Sequence, residues 1–152
     1  MTTPAFAESF GRGLRLDDGD LVLGGGQLLE VEGIANLTQA LTLRILTPFG
    51  SDRFNTRYGL DLTQAFTEPS GVRMVKELVK LNLVRTLAAD PRVSEVRQVV
   101  FDDDPGRPAA DPDALTRVRA AHHRRLWSVE VDLDTVAGTR LTLDVDVEVR
   151  TA

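Results

Sequence analysis

Acidic residues alternate with apolar ones along two segments near the C-terminus, residues 126–134 and 140–150. Such period-two spacing places the acidic side chains on one face of a β-strand. Paired carboxylates at a fixed separation are needed for glycoside hydrolysis, and several converging carboxylates can bind a hard cation. Regularly spaced acids on a hairpin are also typical of its solvated side. The pattern favours this structural interpretation and leaves a carbohydrate-active, lysozyme-like hydrolase as the alternative.

The other residues that could do chemistry lack the spacing that their chemistry requires. His122 and His123 are adjacent, so on a helix they point in different directions and cannot form an i, i+4 metal pair. The acids at 102–104 do not match a calcium loop, and the glycines at 24–26 match neither a Walker loop nor a dinucleotide fingerprint. No cysteine is present, and no serine has the context of a nucleophile elbow. We therefore expect no enzyme activity, no metal and no cofactor.

Composition indicates what kind of partner the chain has. The 152 residues are 42% hydrophobic, enough for one domain with a core, and no apolar run reaches the roughly 18 to 20 residues of a membrane span. The net charge of -5 argues against binding to nucleic acid or to an anionic membrane. A short arginine-rich run at 117–125 leaves a nucleic-acid accessory role as a weaker alternative. We expect protein partners, no direct membrane insertion and assembly in the cytoplasm.

Two helices are predicted from apolar residues at three- and four-residue spacing. The first covers residues 34–46, with Asn36 as its N-cap and Pro48 beyond its end. The second covers residues 70–89 and has enough apolar surface to be largely buried. The connection at 48–62 contains Gly50 and Gly59 and is expected to be an ordered loop.

Strands are predicted at 93–101, 126–134 and 140–150, the last two forming a hairpin that turns near Gly138. A shorter hairpin is predicted around the glycines at 24–26. The fold class is therefore α+β, with two main helices packed on a small antiparallel sheet that ends in a long C-terminal hairpin. Residues 1–13 are expected to be a flexible tail. Residues 14–152 are expected to form one domain with a mobile insertion at about 102–125.

Two segments carry a resemblance to a known family. The first helix runs into RILTPFGSDRFNTRYGLDL, which has a Thr-rich end, an Arg-containing loop, an aromatic-Gly pair and a hydrophobic-Asp-Leu exit. The second segment is Asp90, Pro91 and Arg92, which follows the second helix and resembles a Glu-Pro-Arg signature. Over residues 28–150 the chain resembles the small baseplate wedge and sheath-initiator family of contractile phage tails and injection systems. Asp in place of Glu and the 102–125 insertion depart from the family pattern.

The resemblance implies a non-enzymatic subunit, repeated sixfold in the baseplate, that links other wedge proteins and initiates assembly of the sheath protein. Some family members have been labelled lysozyme-like, but this sequence offers no acid in a cleft with a raised pKa. We expect the loop at Gly50, Tyr58 and Gly59 to be architectural. Asp90, Pro91 and Arg92 are expected to contact a wedge partner, with an ion pair inside the chain as the alternative.

The last predicted strand is long, regular and free of proline, so it would recruit another strand if it lies at the sheet edge. In the resembling family, extended arms of the first sheath subunits add to this sheet. The alternative is that residues 93–101 or the insertion cover this edge within the chain. The predicted partner-binding residues are the apolar positions of the strand: Leu141, Leu143, Val145, Val147 and Val149.

Overall fold

The computed structural model describes residues 10–67, 71–104 and 126–148 and has an α+β fold, as predicted. Two main helices pack against a C-terminal antiparallel sheet, and six short strands precede them. Among the residues of these three ranges, none of the helices has both the length and the apolar composition that a membrane-spanning helix requires. The helices are α1 (Gly33–Leu46), α2 (Thr63–Thr67) and α3 (Val72–Ala88), and the long strands are β7 (Val93–Phe101), β8 (Leu126–Thr135) and β9 (Arg140–Glu148).

The six N-terminal strands form three two-stranded pairs, which a cycle of backbone hydrogen bonds joins. They are β1 (Arg12–Leu14), β2 (Leu16–Asp17), β3 (Asp20–Leu21), β4 (Leu23–Gly24), β5 (Gln27–Leu28) and β6 (Glu30–Glu32). Strand β1 pairs with β6, β2 with β3, and β4 with β5, each antiparallel. At the centre, three backbone hydrogen bonds form a cycle in which the N–H of Arg15 donates to Leu29, that of Leu29 to Val22, and that of Val22 to Arg15. The predicted turn between β4 and β5 is confirmed.

This N-terminal unit begins earlier in the chain than predicted. Phe10 is only 3% exposed and belongs to the main core, and Arg12 and Gly13 pair with β6. Residues 10–13 are therefore part of the fold, although the sequence assigned them to a flexible tail. The rest of that tail, residues 1–9, lies outside the described residues.

The C-terminal sheet has the strand order β7-β8-β9, and both pairings are antiparallel. The hairpin between β8 and β9 turns at Gly138, whose φ is 76°, as predicted. Strand β7 contacts β8 with two register shifts, one on each side of Val96. All three strand predictions are confirmed within the described residues.

One face of this sheet supports the two main helices. Helix α3 contacts β7, and helix α1 contacts β9. Each helix places three buried side chains at four-residue spacing toward the sheet, so that each presents one apolar stripe to the core. These residues are Leu37, Leu41 and Ile45 on α1, and Val79, Leu83 and Leu87 on α3.

Two details of the helix predictions are wrong. Asn36 is not the N-cap of α1, because the cap is Glu32 and Asn36 lies buried inside the first turn. Helix α3 is not largely buried, since Met74 is 56% exposed and Val72 and Leu81 are also exposed. The prediction failed because apolar residues lie on both sides of α3, whereas only one side packs against the sheet. The N-cap of that helix is Gly71, whereas residue 70, the predicted cap, lies outside the described residues.

Candidate functional site

Strand β9 forms an edge of the C-terminal sheet. It pairs with β8 on one side, and none of the other described strands pairs with its outer side. Strand β7, which the sequence left open as a cover for this edge, lies on the far side of β8. The other candidate cover, the insertion, lies outside the described residues apart from residues 102–104.

Two hydrogen bonds define which backbone groups of β9 point outward. The N–H of Thr135 donates to the carbonyl of Thr139 at 2.9 Å, so the backbone groups of Thr135 face β9. The N–H of Asp102 donates to the carbonyl of Ser128 at 3.0 Å, so the groups of Ser128 face away from β9. Along an antiparallel pair of strands, residue pairs whose backbone groups bond to each other alternate with pairs whose backbone groups point away from each other. We call the assignment of residues to these two sets the phase of the hairpin, and both hydrogen bonds give the same phase. The backbone groups of Thr142, Asp144 and Asp146 therefore point to the outer edge of β9.

This phase changes the roles of the predicted partner-binding residues. The side chains of Leu143, Val145 and Val147 are buried in the core, that of Leu141 is half-buried, and their backbone groups face β8. Val149 lies outside the described residues. A strand added to β9 would instead hydrogen-bond with the alternate residues, whose side chains are exposed. The length of the loop at Gly138 could have predicted which backbone groups of β9 point outward, because the turn determines the hydrogen-bonding phase of a hairpin.

An apolar groove of about 840 Å³ lies beside the end of β9. We call it the terminal groove. Its walls come from the end of α1, the chain on either side of the Pro48–Leu60 bridge, and the end of the β8–β9 hairpin. Leu46 and Phe49 line it and are 57% and 49% exposed. The residues of β9 that line it are Asp146, Val147 and Glu148.

The predicted Asp-Pro-Arg segment forms a local ion pair at the junction of α3 and β7. The Nε and Nη2 atoms of Arg92 donate to the two carboxylate oxygens of Asp90, at 2.9 and 2.8 Å. The backbone N–H of Arg92 also donates to Asp90. The hydrogen bonds from Arg92 hold the pKa of Asp90 below its ordinary value and outweigh burial, which acts in the opposite direction. The structure therefore contains the ion pair within the chain that the sequence left as an alternative. A contact between Arg92 and a partner stays a prediction.

The carbonyl oxygen of Phe10 connects this junction to the N-terminal strands and to α1. It accepts a hydrogen bond from Nδ2 of Asn36 at 2.9 Å and another from Nη1 of Arg92 at 3.2 Å. Asn36 and Asp90 are both buried, so this polar connection lies inside the fold. Three parts of the chain that are distant in sequence are thereby fixed to one another. This contact of Asn36 was not predicted from the sequence, because it depends on residue 10, which is distant in the chain.

The loop after α1 is held by the three residues predicted to be architectural. Gly59 has a φ of 107°, and a Cβ atom there would collide with the carbonyl oxygen of Thr47 and lie 2.9 Å from Phe49 N. Gly50, with a φ of 76°, donates its N–H to the carbonyl of Tyr58 at 3.3 Å. The predicted positive φ at Gly59 is confirmed.

Tyr58 packs against α1 as predicted. Its hydroxyl lies 3.5 Å from the carbonyl of Ala40, and the guanidinium of Arg44 lies 4.8 Å from its ring centre. Burial raises the pKa of Tyr58, and the charge of Arg44 opposes that change. Arg44 and Tyr58 therefore fasten the loop to the helix from which it departs.

The acidic side chains of the sheet are distributed along its solvent-facing side. Asp132 accepts a hydrogen bond from Thr142 at 2.6 Å, and Asp134 is paired with Arg97 and Arg140. Asp146 accepts from the hydroxyl of Ser128. Within the three described ranges, no group of three or more His, Cys, Asp or Glu side chains could hold a metal ion. Both histidines and the arginine-rich run lie outside those ranges.

Comparisons with models of protein families and with curated proteins found no match for this chain.

Proposed function

We propose that this protein is a structural subunit of the baseplate wedge in a contractile phage tail or a related injection system. In this role it links other wedge proteins, is repeated around a sixfold baseplate, and initiates sheath assembly by accepting a strand from the sheath protein. The subunit is not an enzyme, and it assembles in the cytoplasm without nucleic acid. The observation that carries the proposal is the outer edge of β9, where backbone groups of alternate residues point away from β8.

Edge strands with unpaired backbone groups are templates for strand addition, because main-chain hydrogen bonds supply affinity without a particular sequence. Strand β9 has nine residues and contains no proline, so each of its outward positions carries an N–H group that could donate to a partner strand. The packing of α1 and α3 on the inner face of the sheet supports it as a rigid platform. These features suit a subunit on which a polymer starts.

The acidic residues of β9 support the proposal in a second way. Asp144, Asp146 and Glu148 alternate along its exposed face. Two copies of β9 brought edge to edge would place like charges beside each other, which is unfavourable. The subunit would then resist pairing with itself before its partner arrives.

The junction at Asp90 and Arg92 gives the platform a defined relation to the rest of the subunit. Arg92 reaches Phe10 at the N-terminal side, while its backbone carbonyl accepts a hydrogen bond from Val136 in the β8–β9 turn. A wedge protein that contacts the N-terminal unit or α1 is thereby connected to the sheet. This connection supports a linking role between the wedge and the sheath.

Proline substitutions at two kinds of position in β9, one with an outward N–H and one with an N–H that pairs with β8, test the proposal. Asp144→Pro removes an N–H that points outward, whereas Val145→Pro removes one that pairs with β8. We expect Asp144→Pro to fold and to join the baseplate but to support little or no sheath, and we expect Val145→Pro to unfold the domain. Asp144→Asn controls for the lost charge. Particles whose folded Asp144→Pro subunit still polymerises full-length sheath at the normal rate would contradict strand addition at this edge.

A further inference from the structure

We propose that the terminal groove selects the partner strand by accepting one of its apolar side chains, and that the strand's outward positions are basic. This inference rests on the proposed strand addition to β9 and specifies the partner's chemistry. The partner is an extended segment that alternates apolar residues with Lys or Arg. The terminal groove defines the register of that segment.

The position of Val147 connects the edge to the groove. A residue that pairs with β9 directly beside Val147 has its side chain on the same face of the sheet as Val147. That face is turned toward the helices, and Val147 itself lines the terminal groove. The neighbouring side chain of an added strand is therefore directed to the groove. A shift of one residue would turn it to the opposite face.

The lining of the groove favours an apolar side chain. Leu46 and Phe49 line the groove and are about half exposed, and Leu60 and Leu62 are also among its lining residues. Covering such surface with an apolar side chain is favourable, because it removes apolar area from water. Because the groove accepts only side chains that arrive on the inner face, it distinguishes the correct register from its one-residue neighbours.

The charge of the opposite face determines what the outward residues of the partner can be. Those residues would lie beside Asp144 and Asp146, and Asp144 is itself directly opposite Glu130 on β8. Opposite charges on adjacent strands stabilise a pairing, and like charges weaken it. Asp61, which also lines the groove, adds a further carboxylate. Lys or Arg at alternate positions of the partner is thus favoured, and an acidic strand is rejected.

Binding of synthetic peptides to the full chain tests both parts of the inference. The probe is a ten-residue peptide that alternates Lys with Val and carries one Leu among the apolar positions. One matched peptide replaces every Lys with Glu, and another replaces the Leu with Ser. Affinity is measured by fluorescence anisotropy at low and high salt. Amide exchange at Asp144 and Asp146 is followed by NMR in the same samples.

We expect the Lys peptide to bind at least about tenfold more tightly than the Glu peptide, with the difference shrinking as salt screens the charges. The Ser peptide should also bind about tenfold more weakly. Phe49→Ser in the protein should remove most of the advantage of the Leu peptide. Phe54→Ser should leave it intact, because Phe54 is in the same loop, is 95% exposed and does not line the groove. Melting temperatures of both variants confirm that they fold.

Equal affinities for the Lys and Glu peptides, or equal effects of Phe49→Ser and Phe54→Ser, would overturn the inference. So would the lack of any binding by the Lys peptide up to about 1 mM. If the amides of Asp144 and Asp146 become protected with every peptide alike, strand addition stands and the groove does not select. If a peptide binds without protecting these amides, the proposed strand addition itself fails.

Discussion

The carboxylate of Asp90 receives two side-chain hydrogen bonds from Arg92, at 2.9 and 2.8 Å, across the single residue Pro91. Its Oδ1 atom also accepts the backbone N–H of Arg92 at 3.0 Å. The short side chain of Asp reaches this backbone donor two residues ahead, as in an Asx turn. Pro91 restricts the backbone between Asp90 and Arg92. The turn thereby helps to orient the guanidinium, which donates to the carbonyl of Phe10.

Replacing Arg92 should therefore destabilise the fold even in the isolated protein. Arg92→Ala leaves the buried Asp90 carboxylate and the Phe10 carbonyl without their partner, and we expect a loss of roughly 1 to 3 kcal/mol in the free energy of unfolding. Arg92→Lys should recover only part of this loss, because an ammonium group cannot make the two parallel bonds. Urea denaturation of the three proteins measures the effect. Equal stability of the wild type and Arg92→Lys would show that the bidentate geometry contributes nothing.

The same pair makes stability depend on pH. The pKa of Asp90 is lower in the folded protein than its ordinary value of 3.8, so the folded state binds this proton less readily than the unfolded state. The resulting stabilisation is present above pH 3.8 and is lost as the pH falls through the folded pKa. We expect wild type to lose more stability than Asp90→Asn between pH 5 and pH 2. Parallel declines of the two proteins in acid denaturation curves would contradict this assignment.

Gly59 should be the least replaceable glycine that the structure describes. Gly59→Ala meets both a positive φ and a collision with the Thr47 carbonyl, and we expect a loss of about 3 kcal/mol or more. Gly138→Ala is the matched control, because its φ of 76° is also positive but nothing lies within 4 Å of the added Cβ. That variant should lose only about 1 kcal/mol. Calorimetric melting of both variants separates the effect of the collision from that of the positive φ alone. Similar losses in the free energy of unfolding would show that the loop moves to make room for the added Cβ.

The long elements of this fold could be predicted from sequence because their patterns are local. Strands β8 and β9 alternate without interruption, and α1 repeats its apolar residues at helical spacing. The role of Asn36 could not be predicted in the same way. An Asn near a helix start suggests a cap, but here its amide is committed to Phe10, 26 residues earlier in the chain.

The candidate site was predictable only in part for a related reason. The alternation in the hairpin sequence separates the side chains of β9 into an apolar set and an acidic set. The apolar set, predicted to bind a partner, is instead packed in the core of the chain itself. The sheet order, which leaves β9 rather than β8 at the edge, depends on where β7 docks. The terminal groove combines α1, the 60–63 segment and β9, so no contiguous pattern marks it.

The phase of β9 predicts an alternating pattern of amide exchange in the isolated protein. The N–H groups of Val145 and Val147 pair with β8, so they should exchange slowly, with protection close to that of global unfolding. Those of Asp144 and Asp146 point outward and should exchange at least about tenfold faster. Residue-resolved NMR exchange measures all four. Uniformly slow exchange along β9 would show that another part of the chain covers this edge.

Reversing the charge of Asp144 should separate stability from partner recognition. Asp144 is directly opposite Glu130, and like charges at such a position weaken a strand pair. Asp144→Lys places opposite charges there, so the free energy of unfolding should rise by about 0.2 to 1 kcal/mol. The same change puts a cation beside the outward residues of the added strand, and the Lys peptide should bind more weakly. Asp144→Asn should fall between wild type and Asp144→Lys in both measurements. A variant that becomes more stable and also binds the basic peptide as tightly as wild type would show that this carboxylate plays no part in choosing the partner.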